Sequence, residues 1–220
     1  MLHGGAARRE RMRVSPAQLS VLRMIPVARR IARAAQGRLV VLRLLNSHRG
    51  WDAHHTPVDD TRWALREMLA HFGAGLPTCL VGHSLGGRAA ILAAAHPQVA
   101  AAVALAPWVY PSDVPRGGGL RGKRLLFVHG ASDRVASPLR SAVLANNLAE
   151  TAGARVTFVG IRGGRHAMLK HHELFSGLAA GFAAGALLGE EVATRASAAL
   201  DARARAAFEA IAAGEASISV

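Results

Sequence analysis

Cysteine occurs once in this chain of 220 residues, as Cys79, and tyrosine once. A single cysteine excludes a disulfide framework and fits a reducing compartment, so the expected location is cytoplasmic. Aromatic residues are only 5% of the chain, which leaves alanine, leucine and valine to fill the core. Lysine is nearly absent: of the 27 basic residues only Lys123 and Lys170 are lysines, and the acidic residues number 14. The surplus of +13 invites a nucleic-acid reading, because clustered cations neutralise phosphates. The arginines, however, are spread from Arg8 to Arg205, without interleaved aromatics or a nucleic-acid motif, so no specific nucleic-acid partner is expected. The charge remains able to attract anionic substrates. No apolar segment follows the first arginines as a secretory signal would require. The Ala/Gly/Leu run from Leu174 to Leu188 is short for a membrane span and broken by glycines, so it reads as a helix packed on a core.

What the chain has is apolar bulk. Hydrophobic residues make up 51%, too many for a disordered chain and enough for one domain with a sizeable core. Five short apolar runs recur: 38–45 (RLVVLRLL), 78–82 (TCLVG), 99–106 (VAAAVALA), 123–130 (KRLLFVHG) and 154–160 (ARVTFVG). Most lead into a helical pattern, at about 58–72, 84–95 and 138–152, with further helices after the last run. Near-continuous apolar strands alternating with helices predict an α/β fold: a three-layer, doubly wound, mostly parallel sheet. Ser137 and Pro138 predict a capped helix start, and Gly153 its end. The stretch 107–122 is the main irregular loop. It is too short for a sizeable helical cap, which predicts an open site with a minimal lid or none. The domain is expected to cover 1–190. An amphipathic helix and tail would occupy 191–220, with the final SISV frayed.

The most specific stretch is VGHSLGG, 81–87. Gly82-His83-Ser84-Leu85-Gly86 fits Gly-x-Ser-x-Gly, and a predicted strand precedes it while a predicted helix follows. Such a corner lifts Ser84 above the sheet edge at a helix N-terminus, where developing negative charge is favoured. A serine hydroxyl needs a base, and the base needs a carboxylate to hold its tautomer. In the chain order serine, acid, histidine, Asp133 follows the strand 123–130, with Asp113 as its rival. His166 follows two glycines after the last strand and is the expected base. His83 is read as shaping the corner and His129 as a packing residue inside a strand. His54 and His55 precede Ser84 and are disfavoured by that order. No metal or other cofactor is implied, since the histidines lack metal-ligand spacing and Cys79 stands alone.

VGHSLGG, HGASDRVASP and GGRHAML together resemble the α/β-hydrolase family, and among its members small esterases and dienelactone hydrolases. The resemblance covers residues 1 to about 190. It implies an oxyanion hole built from the backbone N–H of Leu85 and one from the opening MLHGGA loop, with Gly5 first and Ala6 next. It also implies ester or thioester hydrolysis through an acyl-enzyme on a small-molecule substrate. An acyltransferase with the same three residues, or an inactive binding protein, are the alternatives. His3, Trp51, His83 and Trp108 are placed at the substrate pocket. His48-Arg49-Gly50 resembles the family's Asp-Arg-Gly turn, with histidine in the aspartate position. The family's third strand would lie between the runs 38–45 and 78–82. Only Met1 and Leu2 stand before the loop to supply it, so the expectation is that Met1 is an internal methionine of a longer reading frame.

Overall fold

A computed structural model describes residues 1–5, 12–52, 54–115, 119–189 and 202–220. Five parallel strands form one sheet in sequential order, β1 (Thr78–His83), β2 (Val99–Leu105), β3 (Arg124–Gly130), β4 (Arg155–Ile161) and β5 (Ser217–Ser219). The helices are α1 (Leu19–Leu22), α2 (Met24–Ala34), α3 (Thr56–Phe72), α4 (Leu85–Ala93), α5 (Pro138–Ala152), α6 (His172–Leu188) and α7 (Ala202–Ala212).

The strands are apolar on both faces because both faces are covered. Leu80, Ala102, Ala104, Leu125 and Phe127 point to one side and pack with Val58 and Leu65 of α3, Ala90 of α4, and Leu144 and Leu148 of α5. Their neighbours Val81, Val103, Leu126, Val128 and Val159 point to the other side, against Val27 and Ile31 of α2 and against α6. The period of two along each strand sends alternate residues into two separate cores. The run 174–188 lies inside α6, with Leu178, Ala179 and Ala184 wholly buried. Among the described residues no helix is long and apolar enough to cross a membrane. Helix α5 begins and ends as its sequence indicates: the Ser137 hydroxyl accepts from Arg140 N–H, Pro138 opens the helix, and Gly153 closes it at φ 65°.

Two expectations are corrected. The run 38–45 does not form a full strand. Its one bridge among the described residues is at Leu44, to Leu2, and Leu42 O also accepts from the Met1 ammonium group at 2.8 Å. The segment Met1–Leu2 lies between 38–45 and β1. Leu2 N–H donates to Val81 O at 2.8 Å, His83 N–H to Leu2 O at 3.1 Å, and Leu44 N–H to Met1 O at 3.0 Å. Two residues can satisfy one rung on each side and no more. Val40 and Leu42 are exposed.

The tail SISV is not frayed. It forms β5 on the free edge of β4, with Phe158 N–H bonded to Ala216 O and Val220 N–H to Gly160 O. Ile218 points into the core between the outward Ser217 and Ser219. Residues 202–220 therefore continue the sheet and core of the preceding chain. The expected helix over 190–213 is present from Ala202 to Ala212; its earlier part lies outside the described residues.

Candidate active site

At the carboxyl edge of the sheet, three loops converge. The first is the corner from β1 to α4. Ser84 sits there at φ 55°, ψ −117°, a conformation that side chains other than glycine rarely adopt. The fold holds it: Ser84 N–H donates to Leu105 O, and Ser84 O accepts from the N–H groups of Arg88 and Trp108. The corner is tight enough that a Cβ on Gly86 would lie 2.4 Å from Leu2 O and 2.6 Å from His3 O. Glycine there lets the Met1–Leu2 segment cross directly over the start of α4.

The second loop follows β3. Its turn places Asp133 with its side chain fully enclosed. One carboxylate oxygen, Oδ1, accepts the N–H groups of Val135 at 2.8 Å and Ala136 at 3.0 Å. The other, Oδ2, accepts from His166 Nδ1 at 2.8 Å and from His129 Nε2 at 3.1 Å. Burial by itself would raise this carboxyl's pKa. The hydrogen bonds from His129, His166, Ala136 and Val135 outweigh it and hold the group well below the usual carboxylate range. Asp133 is therefore ionised at any ordinary pH.

The third loop follows β4 and carries His166. It is fastened to the second: Ser132 N–H donates to Gly164 O, and a Cβ on Gly130 would lie 2.3 Å from that same oxygen. His166 spans the two other groups, with Nε2 at 3.0 Å from Ser84 Oγ and Nδ1 on Asp133. A carboxylate on Nδ1 selects the tautomer that carries its proton there, which leaves Nε2 free to accept from the serine hydroxyl. The hydroxyl thus lies within hydrogen-bond reach of an imidazole whose other nitrogen is held by a carboxylate.

The N–H of Leu85 opens α4 and has no earlier turn of helix to pair with. The opening loop passes beside this corner: a Cβ on Gly4 would be 3.4 Å from Ser84 Cβ, and one on Gly5 2.5 Å from Arg49 O and 3.8 Å from Leu85 Cδ1. Ala6, the alternative donor, lies outside the described residues.

Four residues were expected at the pocket, and their places differ. His3 is buried and does not face an open site. Its Nε2 accepts from Asn46 N–H at 3.1 Å, so its Nδ1 donates to Gly4 O at 2.7 Å, tying the opening loop to the segment after 38–45. His83 is also buried, and burial first, then the neighbouring His166 and Arg23, lower its pKa to about 3. It is a neutral imidazole whose Nε2 donates to the backbone oxygen of His166 at 3.2 Å. Trp51 and Trp108 are half-buried around Arg88, whose guanidinium carbon stands 4.1 Å from the ring centre of Trp51 and 5.7 Å from that of Trp108. Asp113, the rival acid, is the partner of that arginine. Both of its oxygens lie 2.7 Å from Arg88 nitrogens, and one also takes Tyr110 N–H. Among the described residues neither oxygen bonds a histidine. His54 and His55 line a separate cleft of about 440 Å³ with Asp59, Arg62, Ser112 and Asp113.

One contributor was missed. His129 reads as a packing residue, and it is fully buried, but its Nε2 bonds Asp133 Oδ2 as well as Ala136 O. The spacing His-x-x-x-Asp at a strand end is the signal that could have found it. Among the described residues no three His, Cys, Asp or Glu side chains are grouped as metal ligands would be. The loop between β2 and β3 has no helix among its described residues, so no helical cap covers the site from there.

No protein-family model matches the chain, and neither does any curated protein sequence. Solved structures do. A protein of unknown function from Agrobacterium tumefaciens is 16% identical, with 84% of this chain aligned to 90% of that one and a TM-score of 0.60. An esterase from Pyrobaculum calidifontis is 18% identical over 74% of this chain and 71% of its own, at 0.54. An alpha-beta serine hydrolase homologue from Coxiella burnetii is 22% identical over 70% and 76%, at 0.51. The chain has the α/β-hydrolase fold, in a form with a five-stranded parallel sheet and minimal covering.

Proposed function

We propose that the protein is a serine hydrolase that cleaves carboxylic esters of small molecules through an acyl-enzyme. The observation that carries this reading is the continuous hydrogen-bonded line from Ser84 Oγ to His166 and on to Asp133, at 3.0 and 2.8 Å. Ser84 Oγ attacks the ester carbonyl while His166 Nε2 takes its proton. Asp133 stabilises the imidazolium that results and keeps the ring from turning. The carbonyl oxygen, now negative, is received by the N–H of Leu85 and that of Gly5. Each such donor is worth about 3–4 kcal/mol in the transition state. His166 then returns the proton to the departing alcohol, and water cleaves the acyl-enzyme by the same steps in reverse.

The likeness to esterases in fold supports an ester over other acyl compounds. Thioesters react by the same steps and fall within the proposal. Transfer of the acyl group to an alcohol or thiol would need a second bound substrate. The test is pre-steady-state kinetics on p-nitrophenyl acetate. The proposal expects a burst of about one equivalent of p-nitrophenol followed by slower turnover, both absent in Ser84→Ala. Equal rates in the two proteins would overturn it.

A further inference from the structure

His129 is the next-to-last residue of β3, and its side chain has no exposure at all. By the period of two it follows Phe127 on the face that packs against α5. A leucine would suit that place. The histidine suits it less well, because Nδ1 is buried without a hydrogen-bond partner, a cost that an apolar side chain would not carry. What the ring brings instead is Nε2, at 3.1 Å from Asp133 Oδ2 and 3.2 Å from Ala136 O. Both of these are acceptors, so Nε2 carries the ring proton and donates it.

With this bond the Asp133 carboxylate accepts four donors, two on each oxygen, which is its full capacity. The four differ in what they are attached to. Val135 and Ala136 belong to the same turn as Asp133 and would move with it. His166 lies on another loop and is itself the group to be held. His129 reaches the carboxylate from a strand. Strand β3 is paired along its length with β2, and β2 with β1. Ser84 is fastened to the same sheet by its N–H on Leu105 O. The bond from His129 therefore ties Oδ2 to the frame that also fixes Ser84, with the imidazole of His166 between them. The same ring N–H reaches Ala136 O, while Ala136 N–H donates to Oδ1, so one ring secures both ends of the turn.

We propose that His129 is a positioning residue for the acyl transfer: its Nε2–H holds the Asp133 carboxylate in register with Ser84, so that Oδ2 stays aimed at His166 Nδ1. The proposal rests on the hydrolase reading above and adds a buried fourth side chain to its machinery. A misplacement of about 1 Å in such a line costs about a hundredfold in rate. His129 is enclosed and meets no substrate, so its loss should fall on kcat and leave KM in place.

The test sets His129→Leu, which keeps the bulk and loses the donor, beside His129→Gln, whose amide NH₂ has one hydrogen for each of the two acceptors. On p-nitrophenyl acetate the leucine variant is expected to lose at least about tenfold in kcat with KM within about twofold, and the glutamine variant to recover most of the loss. Proton NMR of protein carrying ¹⁵N-histidine supplies a second readout. The Nδ1–H resonance of His166, recognised by its absence in His166→Gln, is expected at low field in the wild type. It should be lost to solvent exchange in His129→Leu and present in His129→Gln. If the leucine variant fails to fold, His129→Asn, whose amide stops short of Oδ2, takes its place. A leucine variant that melts earlier but keeps the wild-type kcat and the His166 resonance overturns the proposal, since His129 then only packs. A glutamine variant that folds and is as slow as the leucine variant overturns it too. If the wild type hydrolyses no ester, the hydrolase reading fails and the resonance alone decides. Its loss in the leucine variant and return in the glutamine variant uphold the placement of Asp133 by His129, and any other pattern ends it.

Discussion

Replacing Asp133 by asparagine changes one atom and tests the proposed division of labour. The carboxylate uses its two oxygens for different partners, Oδ1 for the N–H groups of Val135 and Ala136 and Oδ2 for His166 and His129. An amide must put its single oxygen toward one pair. If the oxygen stays with the two N–H groups, the NH₂ meets His166 Nδ1 and His129 Nε2, and each ring must move its proton to its other nitrogen to accept from it. The His166 proton then moves to Nε2, and Ser84 faces a donor where it needs an acceptor. If the amide turns over, its NH₂ opposes the N–H groups of Val135 and Ala136, at a cost of about 1–3 kcal/mol for each donor left unmatched. The first arrangement wins, and it is the inactive one. The expected fall in kcat is about ten-thousand-fold, the size that a wrong tautomer costs in serine hydrolases, with the fold retained. Steady-state kinetics on p-nitrophenyl acetate, with circular dichroism to confirm folding, measures it. A loss of less than about tenfold would refute the reasoning, because Asp133 would then not be setting the tautomer of His166.

The remaining predictions concern stability and the shape of the site. His83, neutral with its pKa held to about 3, and His3, lowered by burial, both take up protons near pH 6.5 once unfolded. Below that pH the unfolded chain binds more protons, so stability falls by up to about 1.4 kcal/mol per pH unit for each of them. Denaturant titrations at pH 7.5 and 5 should show the loss and His83→Gln should lessen it, whereas a flat profile contradicts the assignment. Gly86→Ala puts a methyl group 2.4 Å from Leu2 O. It is expected to displace the opening segment, cost about 3 kcal/mol and slow the ester reaction, as thermal melts and kinetics would show. Arg88→Met strands the buried Asp113 carboxylate and should cost about 3–5 kcal/mol, most of it recovered in Arg88→Met with Asp113→Leu; additive losses in denaturant melts would argue against a coupled pair.

The geometry of the candidate site was legible because its demands are local. A strained corner needs Gly82 and Gly86 around Ser84, and a loop that swings back over the sheet needs the glycines before His166. Asp133 and His166 could be ranked by chain order and strand ends alone. Asp113 remained a rival because its fate depends on Arg88, which faces inward from α4 toward a loop about 25 residues away in sequence. Contacts of that kind leave no periodic trace. His129 was hidden for the opposite reason: a buried strand residue looks like packing whether or not its ring nitrogen is bonded. The edges of the sheet were read least well. The run 38–45 has strand composition but only two residues beside it to pair with. The short SISV forms a strand because the edge of β4 offers its N–H and C=O groups and Ile218 packs on the core.

The central claim, that Ser84 is an activated nucleophile, is tested most directly by intact-mass analysis after treatment with a fluorophosphonate. The account predicts one covalent adduct per chain, mapped by peptide sequencing to Ser84 and absent in Ser84→Ala. An unmodified wild-type chain, or an adduct that persists in the alanine variant, would contradict it.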